Sequence, residues 1–218
     1  MIENYKINEY GIIEQIKRKS FTYDYNYSNN YNNLTYKENS TILNIARLTF
    51  CITNYKFVFP EKEIISILDI GYGNGDFLNQ CIKMIPECYG YDVSNYKLND
   101  PIKIVDTMFD KHYDIITFWD SLEHFHNINF LNSLNCNMVC ISMPYCHWKS
   151  DKDDEWFYNW KHRKPDEHLY HFNPKSLNNF MNKQNYECVT YSSNIEELVR
   201  KNKPNEQNIF SASYRKLY

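Results

Sequence analysis

Three of the five glycines in these 218 residues, Gly71, Gly73 and Gly75, fall within five positions, directly after the apolar run from Ile64 to Ile70. Glycine is needed where backbone turns with positive φ or lets a ligand lie against it. The stretch IISILDIGYGNGDFLNQCI therefore reads as a buried strand, a tight turn and a helix start, the arrangement that receives a nucleotide-like ligand. A dinucleotide fingerprint GxGxxG would place its third glycine where this chain has Asp76, so the match is to GxGxG instead. Asp69 precedes the turn. Asp92 ends the next predicted strand in CYGYDVS, where a carboxylate can accept two hydrogen bonds from a ribose diol.

A second group of reactive side chains, Asp120, Glu123, His124 and His126, follows the fourth predicted strand. Ligands gather at the carboxyl ends of an open parallel sheet. A short helix starting there would bring Asp120, Glu123 and His124 onto one face, because residues three and four apart are neighbours. Carboxylate and imidazole together can act as general base for a hydroxyl, or as an oxygen and nitrogen ligand set for a divalent cation. A third group follows the fifth predicted strand: Cys146, His147 and Trp148, then Trp156, Trp160, His162, Glu167, His168 and His171 within the long insertion 149–173. His147 and His168 are further base candidates behind His124. Cys146 and the histidines lack the spacing of a closed zinc site. Loops on the ligand side of such a sheet set substrate choice, but aromatic residues pinning a lid to the sheet explain the tryptophans equally well.

The elements that must carry these residues alternate. Strands are predicted at 64–70, 87–92, 102–105, 113–118, 137–143, 186–192 and 208–214, and helices at 42–52, 75–84, 128–134, 174–184 and 195–201. Alternation of this kind implies an α/β fold with a mostly parallel sheet and helices on both faces. The helix normally found between the second and third strands is reduced to a loop. Residues 1–38 are polar and rich in tyrosine, with Tyr23, Tyr25, Tyr27, Tyr31 and Tyr36 among asparagines, and read as an arm with one short helix near 12–17. We expect 1–60 to form an arm and helix covering the cleft, and 61–218 the ligand-binding unit.

In order and spacing the chain resembles the class I S-adenosylmethionine (SAM) dependent methyltransferases. LDIGYGNG is similar to their first motif, GYDVS to the acidic end of their second strand, and YDIITFWDSLEHFHN to their fourth-strand motif. The resemblance implies a Rossmann-like sheet of seven strands closed by an antiparallel C-terminal hairpin. It also implies SAM as cofactor, with Asp69, Gly71, Gly73, Gly75, Asp92, Asp106, Trp119 and Asp120 around it. Asp106 is a candidate for the adenine amino group, a solvated loop carboxylate being the plainer reading. More narrowly, Asp120, Glu123 and His124 form a DxxEH similar to the ExxEH of ubiquinone-type O-methyltransferases, which implies a divalent metal as a candidate on those three residues. The whole chain is also similar to small phage and large-virus methyltransferases. Ser142 to Tyr145, SMPY, resembles the (D/N/S)PPY motif of adenine amino-methyltransferases, but it ends the fifth strand here, whereas that motif follows the fourth.

These readings point to methylation of a hydroxyl on a small molecule or glycan, with nucleic-acid methylation, an inactive binding module and an NAD-dependent oxidoreductase as the competing functions. The formal net charge of −3 argues against a large nucleic-acid footprint, although Lys161 to Lys164 is locally basic. No apolar stretch approaches the 18 residues of a membrane span. Seven cysteines without paired spacing suit reduced thiols in a cytoplasm, the host's if the protein is viral.

Overall fold

The computed structural model describes residues 2–18, 37–94, 96–200 and 207–218. Its elements in chain order are β1 (Tyr5–Ile7), β2 (Ile13–Gln15), α1 (Lys37–Val58), β3 (Ser66–Ile70), α2 (Asp76–Cys81), β4 (Glu87–Tyr91), β5 (Lys103–Ile104), β6 (Tyr113–Trp119), β7 (Cys136–Pro144), α3 (Asp154–Asn159), β8 (Tyr170–His171), α4 (Pro174–Lys183), β9 (Tyr186–Ser192), α5 (Ile195–Arg200) and β10 (Ile209–Lys216). Seven strands form one sheet in the order β5-β4-β3-β6-β7-β10-β9. Strands β3 to β7 run parallel, and β10 lies antiparallel between β7 and β9. This is the Rossmann-like sheet with a C-terminal antiparallel hairpin that the sequence leads one to expect.

Every residue of β3 and of β7 is buried, as parallel strands covered on both faces require. Successive side chains point to opposite faces. Ile67, Ile115, Met138 and Cys140 pack with Leu48 and Cys51 of α1 and with Phe77 and Leu78 of α2. Leu68, Ile116, Val139 and Ile141 pack with Leu177, Phe180 and Met181 of α4. Each large aliphatic side chain buried in this way contributes about 1.5–3 kcal/mol, so both helical layers are held by the strands they cover.

Helix α1 extends beyond the expected 42–52. Leu43, Asn44, Arg47, Leu48, Cys51, Asn54 and Tyr55 recur every three to four positions on its buried stripe, with Phe50 buried beside them, and Pro60 bars continuation past Phe59. The predicted helix at 128–134 is a 3₁₀ turn, Asn129–Ser133. The short helix expected near 12–17 is instead strand β2, in a small antiparallel sheet of order β1-β2-β8. Long-range pairing with the Leu169 segment and burial of Ile13 and Gln15 override the weak local preference. The five tyrosines of the arm lie outside the described residues.

The tryptophans of the insertion hold this small sheet in place. Ile2, Tyr5 and Ile13 share a cluster with Cys146, Trp148, Phe157 and Trp160. Trp148 stacks on Phe157 with centroids 4.6 Å apart, and Trp156 on Trp160 at 5.2 Å. The pinning role open in the sequence is thus the one these rings serve. Among the described residues no helix is long and apolar enough to cross a membrane.

Candidate active site

Strand β4 lies on one side of β3 and β6 on the other, so a crevice opens where the chains leaving β3 and β6 diverge. Gly71, Gly73 and Gly75 turn there with φ of 82°, 56° and 78°, all left-handed. A Cβ on Gly71 would lie 2.6 Å from Ser121 Cβ, so packing of the two diverging loops demands that glycine. Gly73 differs, because among the described residues a Cβ there would meet nothing within 4 Å. Its bare backbone fronts space that no described side chain fills, room in which a ligand could lie.

Asp92 stands beside this opening. Its Oδ2 accepts the Gly73 amide at 2.9 Å and its Oδ1 the Ser94 amide at 2.7 Å. Each carboxylate oxygen has a further lone pair for a diol. The start of the six-residue helix α2 is occupied by its own residues, since Asn74 Oδ1 accepts from the Asp76 amide at 3.1 Å. Asp106 is exposed just beyond β5.

Beneath the turn, the α1 face of the sheet becomes polar. Asp69 pairs across to Thr117 in the β3–β6 register, and Thr117 Oγ1 donates to Asp69 Oδ1 at 2.7 Å. Asp69 is 2% exposed, and burial raises its carboxyl to about 7 against the opposing pull of Thr117 and Arg47. Trp119 closes β6 under the Arg47 guanidinium, 5.0 Å away, and edge-on to Phe77. Arg47 bridges the buried Glu196 of α5 and Asp120, whose Oδ2 is 3.2 Å away. Burial disfavours the guanidinium charge, and Glu196 and Asp120 outweigh it, so its pKa is raised.

This network corrects one expectation. Asp120 does not share a face with Glu123 and His124: it sits in the left-handed region with φ of 52°, ahead of a 3₁₀ turn, Leu122–His124, and reaches toward Arg47. Glu123 and His124 meet His168 instead, with ligand atoms of the three side chains all within 4.8 Å of one another. The His124 and His168 rings stand perpendicular with centroids 4.7 Å apart. The Leu169 amide donates to Glu123 O at 2.9 Å and holds the two segments together. Burial lowers His124 to about 4 and His168 well below the usual imidazole range, so both rings are neutral at pH 7. Ser121, packed on Gly71, joins the glycine turn to this cluster.

His147 is elsewhere engaged. It stacks on Tyr145 at 4.0 Å, its Nδ1 lies 3.2 Å from Asp151 Oδ1, and its Nε2 lies 2.9 Å from Gln207 O. Both ring nitrogens are committed to the loop. Sequence reasoning passed over Arg47, Glu196 and Thr117, and weighed Ser142 only as part of the SMPY motif. A signal for the first existed: an arginine set in ILNIARLTF, on the stripe α1 must bury, needs an anionic partner.

A protein-family model described as a methyltransferase domain matches residues 43–191. No curated protein matches the chain. Among solved structures, the plantazolicin methyltransferase BpumL, in complex with a triazolic desmethylPZN analog and SAH, superposes with a TM-score of 0.59 at 19% identity, covering 88% of this chain and 90% of that one. A putative methyltransferase from Bacillus halodurans C-125 gives 0.56 at 13% identity, covering 77% and 99%. A putative methyltransferase in complex with the Trm112 methyltransferase activator of Haloferax volcanii gives 0.54 at 11% identity, covering 73% and 85%. At these identities the neighbours establish the Rossmann-like methyltransferase fold, and the family match over more than half of the chain establishes membership: the chain belongs to the methyltransferase-domain family.

Proposed function

We propose that the chain methylates a hydroxyl oxygen of a small molecule or carbohydrate. SAM supplies a methyl group on a sulfonium centre, activated toward an in-line nucleophile. The observation that carries the reading is the neutral imidazole pair, His124 and His168, set one short loop away from the open backbone at Gly73.

Gly73 and Asp92 would hold the donor's ribose and methionine end, and Ser121 and Asp120 form the wall between that pocket and the acceptor. His124, only partly buried, accepts the hydrogen bond of the acceptor hydroxyl. Its depressed basicity is no obstacle, because a hydroxyl becomes strongly acidic as its oxygen takes on a methyl group, and the proton is needed to leave only then. Orientation carries the rest of the rate, since a positioned nucleophile converts a bimolecular encounter into a unimolecular step. The small N-terminal sheet is bonded to Leu169, next to His168, which supports reading 1–60 as the cover over the acceptor side.

Calorimetry with S-adenosylhomocysteine (SAH), followed by transfer of labelled methyl to a panel of phenols, catechols and sugars, tests this. Wild type binds SAH, Asp92→Ala weakens that binding by at least about tenfold, and His124→Ala spares it while lowering turnover about 10²–10⁴-fold. Folded protein that ignores SAH overturns the donor assignment. Equal loss of SAH binding in both variants overturns the division of roles.

A further inference from the structure

We infer that Glu123, His124 and His168 form a binding site for one divalent transition-metal ion, beside the glycine turn. Glu123 is 1% exposed, and among the described residues neither carboxylate oxygen has a hydrogen-bond partner. A buried carboxylate without partners costs several kcal/mol if ionised alone, so such groups are paired, protonated or bound to metal. Nothing in donor binding or in the Arg47 network uses Glu123. What lies within reach of it are two imidazoles, with all three ligand atoms inside 4.8 Å.

The set is held by backbone rather than by chance side-chain placement. Leu169 N donates to Glu123 O and Gln15 N to Leu169 O, each at 2.9 Å, so the 3₁₀ turn, the His168 segment and β2 are stitched in series. His124 Nδ1 lies 3.2 Å from Glu167 O, a backbone acceptor of the kind that orients metal-bound imidazoles. Lys164, the nearby cation, bonds Glu167 Oε2 at 3.2 Å and not Glu123. Two imidazole nitrogens with one carboxylate oxygen suit zinc, manganese, iron or cobalt, and not the all-oxygen shells of calcium or magnesium. Three protein ligands leave positions for water or an acceptor oxygen. An ion held through His124 would occupy the lone pair that otherwise accepts the acceptor hydroxyl, and would bind that oxygen itself; the inference rests on the proposed function only there, because occupancy is measurable without any acceptor.

The test is titration of chelator-treated protein with Co²⁺, read by visible absorption and calorimetry, then displacement by Zn²⁺. Cys188→Ser serves as background, because Cys188 is the exposed thiol and would compete for the ion. One equivalent is expected, weakened at least about tenfold by Glu123→Gln and by His168→Gln, and unchanged by His112→Gln at the far end of β6. SAH binding measured on every variant reports the fold, and X-ray absorption of the Co²⁺ protein should show two imidazoles even if a variant fails to fold. No uptake by folded wild type overturns the site and leaves a proton as what neutralises Glu123. Uptake indifferent to both replacements overturns it equally. Metal bound without SAH would sink the proposed function and leave this inference standing.

Discussion

Arg47 Nε lies 3.0 Å from Glu196 Oε1, joining α1 to α5 across 149 positions of chain. The same carboxylate oxygen accepts Ser142 Oγ from the end of β7 at 2.9 Å. One guanidinium therefore ties both helices to the edge of the sheet, immediately below the crevice. Removing it would take from Glu196, 1% exposed, and from Asp120 the guanidinium that each pairs with. Arg47→Met is expected to cost about 3–5 kcal/mol in urea unfolding. Arg47→Lys, which keeps the charge and loses the planar fork, should recover part of this. A loss below about 1 kcal/mol for Arg47→Met would mean that Glu196 does not depend on it.

Gly71 and Gly73 are two letters of one motif and obey different constraints. An alanine Cβ at Gly71 meets Ser121 Cβ at 2.6 Å, whereas one at Gly73 meets no atom of the described residues within 4 Å. Both carry the left-handed penalty, about 1–2 kcal/mol. Gly73→Ala should fold with roughly that loss and yet weaken SAH binding at least about tenfold, because the new methyl stands where the ligand belongs. Gly71→Ala should show the larger drop in thermal unfolding temperature. Equal stability and equal SAH affinity in the two variants would argue that the space at Gly73 is not the donor pocket.

Asp69 makes stability depend on pH in a direction unusual for a carboxylate. Burial lifts its native pKa to about 7 from an ordinary 3.8, so between those values the native state holds more protons than the unfolded chain. Stability contributed by this group is therefore full below about pH 4, declines as pH rises toward 7, and is flat above. Each unit of difference is worth about 1.4 kcal/mol. Paired urea melts from pH 4.5 to 8 should show the advantage of wild type over Asp69→Asn shrinking across that range. A constant difference would mean that Asp69 is ionised throughout, neutralised by Arg47.

The succession of the sheet strands along the chain and the place of the glycine turn were legible in the chain because both are local. Apolar runs such as Ile64 to Ile70 and CNMVCISM announce buried strands, and glycine at alternate positions announces a bend that side chains would obstruct. The position of Asp92, just past the neighbouring strand and beside that turn, was legible for the same reason. What tertiary structure alone decided is which side chains meet. Asp120, three residues from Glu123, turns away to Arg47, since one left-handed residue and a 3₁₀ turn break the helical spacing that would have put them on one face. His168, 44 positions from His124, comes beside it because the Leu169 amide pairs with Glu123. His147 and His168 looked alike as letters, and only packing set one against a loop carbonyl and the other against a second imidazole. Residue type and short spacing determine a backbone's turns and strands, but proximity across dozens of residues is set by how layers pack, which no local pattern encodes.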